Sequence, residues 1–170
     1  TYNTANGTAT LADSDYVVVS GGSGTITSGT PSTTVTVQVN GDTNVEATEN
    51  FLVNLSGPVN ATITDGQGMG TITNDDTATI SINDPTPVNE GNTGTATLNF
   101  TVSIDASDSA NPITVDYLIS GGNEDGISST LTFLMGTTIF SQQVPVTTNG
   151  DTAVEADENI SVTLSTPSAN

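Results

Sequence analysis

Apolar residues in this chain recur at every second position over short stretches, and no segment carries them at the three-to-four spacing of a helix. Thr33-Thr-Val-Thr-Val-Gln-Val39, Phe51-Leu-Val-Asn-Leu-Ser56, Thr77-Ala-Thr-Ile-Ser-Ile82 and Ile160-Ser-Val-Thr-Leu-Ser165 all alternate. A period of two puts one face of a strand in a core and the other in water. The alternation predicts strands near residues 16–19, 23–27, 33–39, 51–55, 61–64, 69–73, 78–82, 95–104, 113–119, 129–133, 140–147 and 160–164. Gly21-Gly22, Asn40-Gly41, Asp65-Gly66 and Asn149-Gly150 punctuate them as turns. The pattern is all-β, most simply a series of antiparallel sandwiches.

The chain also repeats itself. Asn40-Gly-Asp-Thr-Asn-Val-Glu-Ala-Thr-Glu-Asn50 and Asn149-Gly-Asp-Thr-Ala-Val-Glu-Ala-Asp-Glu-Asn159 agree at nine of eleven positions, 109 residues apart. Each runs into an alternating strand and then a proline, Pro58 or Pro167. The stretch Thr33–Val39 aligns with Phe140–Val146, and Tyr2 with Tyr117. A repeat of about 100 residues is the size of one sandwich module rather than one solenoid turn. The expected boundary falls at Asn74-Asp75-Asp76-Thr77, giving modules over 1–76 and 77–170 with no long linker between them.

Charge narrows the function. Nineteen acidic residues face no Lys, Arg or His, for a net charge of −19. With no basic side chain to neutralise phosphate, nucleic-acid binding is excluded, and an anionic membrane surface would repel the chain. The longest apolar runs, such as Tyr16 to Val19, are far too short for a membrane-spanning helix. Cysteine is absent, so stability must come from something other than disulfides, and bound metal is the obvious candidate. Without His, Cys, Lys or Arg, only carboxylate chemistry is open to an enzyme, and aromatics are just 4% with no Trp to form a sugar platform. The expectation is that the chain is not an enzyme.

One spacing carries chemistry: Asp-x-x-x-Glu-x-x-Glu, found as Asp42, Glu46, Glu49 and again as Asp151, Glu155, Glu158. Each set lies between two predicted strands, in an end loop. Three carboxylates in eight residues repel one another unless they are solvated or share a cation. Calcium takes six to eight hard oxygen ligands in flexible geometry, whereas zinc would prefer Cys or His. Hydrated turns are the alternative, and a duplication would copy an inert turn as readily as a site. Asp75-Asp76 at the junction and Glu90 in Val88-Asn-Glu-Gly91 are further acidic points.

Together these segments resemble the Calx-beta family, immunoglobulin-like sandwiches found in sodium–calcium exchangers and in large bacterial surface proteins. The resemblance rests on Tyr2-Asn-Thr-Ala-Asn-Gly-Thr-Ala9, Ser14-Asp-Tyr16, Gly41-Asp42, Glu46-Ala-Thr-Glu49-Asn-Phe51 and Ile72-Thr-Asn-Asp-Asp76. It implies two tandem immunoglobulin-like antiparallel β-sandwiches that bind Ca2+ at one end. By matching, Asp42, Glu46, Glu49, Asp75 and Asp76 would serve the first module, and Glu90, Asp151, Glu155 and Glu158 the second. Asn6 stands where the family often has an acidic residue, and Glu124-Asp125-Gly126 replaces Ser-Asp-Tyr in the second module. Set against the family pattern, the first module is expected to lack its first two strands and the second its closing strand, so each is incomplete at the chain ends. The chain reads as a window on a longer tandem array. The resemblance implies a calcium-stabilised structural module of a secreted or cell-surface protein, bacterial in origin, such as an adhesin stalk or filament. Its partners would be neighbouring repeats or copies of itself. A calcium sensor and a strand-exchanging filament subunit are the alternatives.

Overall fold

The computed structural model describes residues 1–167, and every regular element among them is a strand. There are nine: β1 (Tyr2–Asn6), β2 (Glu49–Leu55), β3 (Gln67–Ile72), β4 (Ile80–Ile82), β5 (Thr95–Ile104), β6 (Ile113–Ser120), β7 (Ser128–Phe133), β8 (Ser141–Asn149) and β9 (Ser161–Ser165). They form three antiparallel sheets, ordered β1-β2-β3, β4-β5-β8 and β7-β6-β9. By contacts the chain divides into two compact units, one of Thr1–Asp42 with Ala47–Asp75, the other of Asp76 onward with Thr43–Glu46.

The second unit is a sandwich, and its alternation dictates its core. Along β5 the inward positions are Leu98, Phe100, Val102 and Ile104; on the facing sheet they are Ile113, Val115, Ile119, Phe133 and Val162. With Val144 and Val146 of β8, and with Leu98 half-buried beside them, ten buried apolar residues make one continuous cluster drawn from both sheets. Pro145 sits within β8 opposite Asn99. A proline is tolerated there because β8 is an edge strand and needs no amide on its outer side. The segment Thr43–Glu46 belongs to this unit through Val45, which is buried and exchanges backbone hydrogen bonds with Ser107 and Ser109.

The first unit has a much smaller core: Ala9, Tyr16 and Phe51, with Val37, Val53 and Ile72 half-buried around them. The Tyr16 and Phe51 rings stack with centroids 4.8 Å apart. Phe51 lies opposite Gly70 in the β2–β3 register, and a β-carbon on Gly70 would run into its ring. A side chain there would cost the unit its largest buried group.

The duplication is visible as register. Tyr2 pairs with Leu55 in β1–β2, and Tyr117 pairs with Leu164 in β6–β9. Likewise Thr4 N donates to Val19 O as Ile119 N donates to Ile127 O. Several strand expectations need correction. Strand β1 forms without having been expected from alternation alone. Residues 16–19, 23–27, 33–39 and 61–64 build no ladder; the first and third touch only through an isolated Tyr16–Val39 bridge. The physical reason lies in pairing: residues 33–39 are the counterpart of the start of β8, which is held by nine paired positions along β5, and no strand among the described residues pairs with 33–39 in that way.

Candidate metal centre

Carboxylates come together within each unit, with ligand oxygens within 4.8 Å of one another: Asp15 and Glu49 in the first, and Glu90, Asp151 and Glu155 in the second. Both groups draw on the repeated acidic loop, through Glu49 in one and Asp151 and Glu155 in the other. Of the residues singled out from sequence, Glu49, Glu90, Asp151 and Glu155 therefore join a group, while Glu46 is half-buried in the segment that belongs to the second unit. Asp42 and Asp75 are exposed, Asp76 is half-buried and Glu158 exposed; none of these four joins either group.

Asp15 was not among the expected ligands, although it is the middle residue of the Ser14-Asp-Tyr16 segment. It is 7% exposed and accepts a 2.6 Å hydrogen bond from Thr10 N. Burial follows from its neighbour: Tyr16 goes into the core and donates to Asn6 Oδ1 at 2.6 Å, anchoring the turn. Asn6, standing at the position where an acid was expected, thus receives the tyrosine hydroxyl. Asn40 pins the same turn from the opposite side, donating from its side chain to Ser14 O at 2.5 Å and from its amide to Asp15 O at 3.0 Å. Its counterpart Asn149 makes a reciprocal amide pair with Asn123, at 2.9 and 3.0 Å. The asparagine of each Asn-Gly-Asp turn thereby fixes a second loop beside the acidic one.

Glycine makes the second group possible. Gly150 passes so close to the Glu90 segment that a β-carbon would stand 2.6 Å from both Glu90 O and Gly91 O. Its amide donates to Gly94 O at 2.9 Å, and Gly91 and Gly94 both adopt positive φ, which glycine does at no steric cost. That close approach brings Glu90 to Asp151 and Glu155.

Glu124 takes no part. Its carboxylate accepts from Thr147 Oγ1 at 2.7 Å and Thr147 N at 2.8 Å, and these bonds hold its pKa below the ordinary value. Asp105 is lowered by the Thr79 hydroxyl and then the Thr79 amide, and Asp116 by the hydroxyls of Thr130 and Thr166. Threonines here do what arginines do elsewhere. A carboxylate whose folded pKa is depressed contributes stability above its unfolded pKa and loses it as pH falls through the folded value. The second unit is therefore expected to weaken on acidification below about pH 4. Thr147→Val should move the Glu124 titration upward toward the ordinary glutamate value, read by carboxyl-carbon NMR; an unmoved titration would remove the hydroxyl as its cause.

The donor sets suit one class of ion. Every residue of both groups offers hard carboxylate oxygen. Two oxygens bound to one calcium at about 2.4 Å each can be at most about 5 Å apart, and both groups meet that bound. Two or three side chains supply part of a six-to-eight-oxygen shell, leaving room for backbone carbonyls and water. Zinc or copper would want nitrogen or sulfur, and the chain has no His or Cys.

Fold and donors together define a tandem all-β module with acidic, oxygen-only ion sites. The Calx-beta domain model matches twice, over residues 1–86 and 88–170, and the chain belongs to the Calx-beta family. It is thus a pair of calcium-related repeat modules of a non-catalytic family whose domains are typically extracellular. No curated protein matches the chain. No helix among the described residues is long and apolar enough to cross a membrane, which says nothing about spanning by strands.

Proposed function

We propose that this chain is a calcium-stabilised structural segment of an extracellular surface protein, a stalk or filament in which each repeat partners its neighbours, and that it catalyses nothing. The observation that carries the proposal is the pairing of two converged carboxylate groups with a sequence that contains no basic side chain. Each group concentrates negative charge, and a divalent ion is the counter-charge that best matches clustered hard oxygens. The ligands are Asp15 and Glu49 in the first unit and Glu90, Asp151 and Glu155 in the second, with Asp42, Glu46, Asp75, Asp76 and Glu158 adding to the negative potential of the chain. A stalk has no need of a pocket with aromatic walls, and the low aromatic content agrees with that role.

The test is thermal unfolding in millimolar calcium and in chelator. Millimolar calcium is about one to ten times the Kd of such a module and stabilises by about 0.4–1.4 kcal/mol per site. Calcium should raise the melting temperature by several degrees and slow digestion by a protease that cuts at apolar or acidic residues. Superimposable melting curves would overturn the proposal. Affinity separates the roles: a structural extracellular module should half-saturate at about 10⁻⁴–10⁻³ M, and half-saturation at about 10⁻⁷–10⁻⁵ M would instead mark a sensor.

A further inference from the structure

The loop that joins β7 to β8 has a counterpart in the first repeat. Extending the alignment of Thr33–Val39 with Phe140–Val146 back by six residues sets Thr27–Ser32 against Leu134–Ile139. The turn is the same in both. Thr30 N donates to Thr27 O and Thr137 N to Leu134 O, each at 3.1 Å, with a positive-φ glycine, Gly29 or Gly136, inside the turn. The side chains differ. Where the first repeat has Thr27, Ser28 and Ser32, the second has Leu134, Met135 and Ile139, which are 70%, 62% and 65% exposed. The turn therefore does not need apolar groups at these positions, and the fold leaves all three in water. Clustered apolar side chains on a polar surface mark a contact with something outside the fold.

We propose that Leu134, Met135 and Ile139 form a wedge that dips into the surface of a zwitterionic lipid bilayer. Three features select that occupant. The first is the backbone of the loop. Gly136 N donates to Asp108 O at 2.8 Å, Thr137 N to Leu134 O, and Ile139 N to Thr137 Oγ1 at 3.0 Å, so these amides can leave water with their hydrogen bonds made. The second is charge. No acidic residue lies between Asp125 and Asp151, and the two carboxylates of the adjoining loop over 105–112 are engaged. Asp105 accepts from Thr79, and Asp108 accepts from the Ala110 and Asn111 amides at 2.7 and 2.8 Å. A neutral headgroup matches this surface, whereas an anionic one would be repelled by the chain's −19. The third is size. Three side chains fall far short of the about 20–30 residues and about 800 Å2 a side of a stable protein interface. Acyl chains take up apolar groups singly and need no matching surface, while a second copy would bring a further −19. The wedge is independent of calcium.

The test is flotation of the full chain with phosphatidylcholine vesicles, in chelator so that ion binding plays no part. The parent should float with the vesicles at millimolar lipid. A spin label on the acyl chains should broaden the methyl signals of Leu134, Met135 and Ile139 and spare Leu118 and Ile127, which are exposed on other parts of the unit. The comparison chain carries Leu134→Thr, Met135→Ser and Ile139→Ser, the residues that the first repeat already places on this turn. Each replacement should weaken partitioning by about tenfold, the factor that burial of one such side chain supplies. A parent that stays with the soluble fraction, equal flotation of the two chains, or equal broadening at all five residues overturns the proposal. So does a change in the Met135 and Ile139 methyl signals on dilution without lipid, since the surface would then belong to a second copy. The reverse graft, Thr27→Leu with Ser28→Met and Ser32→Ile, should strengthen flotation by a similar factor, and no gain counts against the wedge even if the first variant misfolds.

Discussion

Asp15→Asn with Glu49→Gln should abolish the calcium-dependent part of the first unit's stability while leaving the protein in chelator as stable as the parent, or more so. Both side chains keep their size, and an asparagine at position 15 still offers an oxygen to Thr10 N. What changes is charge. In the parent, the Asp15 and Glu49 carboxylates share a space in which their oxygens lie within 4.8 Å. Each such pair repels by about 1 kcal/mol even at the dielectric constant of bulk water, and by more beside a residue as buried as Asp15. Two neutral replacements leave no charged pair in the group, so the ion-free form is relieved. The same replacements take away the attraction that held the ion, and about 0.4–1.4 kcal/mol of linkage stabilisation in millimolar calcium goes with it. Differential scanning calorimetry with calcium and with chelator reads both effects. The decisive pattern is a crossing: the variant melts lower than the parent in calcium and no lower in chelator. A variant that keeps the whole calcium-induced shift would show that the first group holds no ion.

Phe51→Ala is the second large effect. Phe51 is one of only three fully buried apolar residues in the cluster of the first unit, and it stacks on Tyr16. Truncating a buried phenylalanine costs about 3–5 kcal/mol, plus about 1 kcal/mol for a lost ring pair. A core this small has little left to absorb such a loss, and the first unit should unfold or melt far below the second. Phe133→Ala removes the same atoms from a ten-residue cluster in the second unit. It should lower that unit's transition without erasing it. The contrast is measured by following Val37 and Val144 methyl signals separately through a thermal ramp. Equal losses in the two variants would mean that the cores differ less than their sizes indicate.

Strands whose partner lies in the same unit were readable from alternation. Residues 95–104 were expected as a strand and form β5 over that same span, because every second side chain meets a facing sheet. Residues 33–39 alternate just as well and form no ladder, because alternation reports a face suited to a core and says nothing about whether a hydrogen-bonding partner is present. Strand β1 escaped the pattern, since Tyr-Asn-Thr-Ala-Asn has only two apolar side chains; its signal was the repeat, through Tyr2 and Tyr117. For the ion sites, local spacing found the members that lie on one loop, such as Asp151 with Glu155. Asp15 is brought in from another loop by the burial of Tyr16, a tertiary event that spacing cannot express. Asp42 and Glu158 share the motif yet stay outside both groups, because residues close in sequence on an extended loop point in different directions.

The shared register of the two repeats has a genetic corollary. Tyr2–Leu55 and Tyr117–Leu164 are the same pairing, and nearly identical stretches follow Asn40 and Asn149. A crossover between gene copies misaligned at those stretches would join the front of one repeat to the back of another with no slip in strand pairing. Such an exchange changes how many repeats a gene encodes while keeping each hybrid foldable, so the length of a repeat array could drift between lineages by whole units without passing through a broken intermediate.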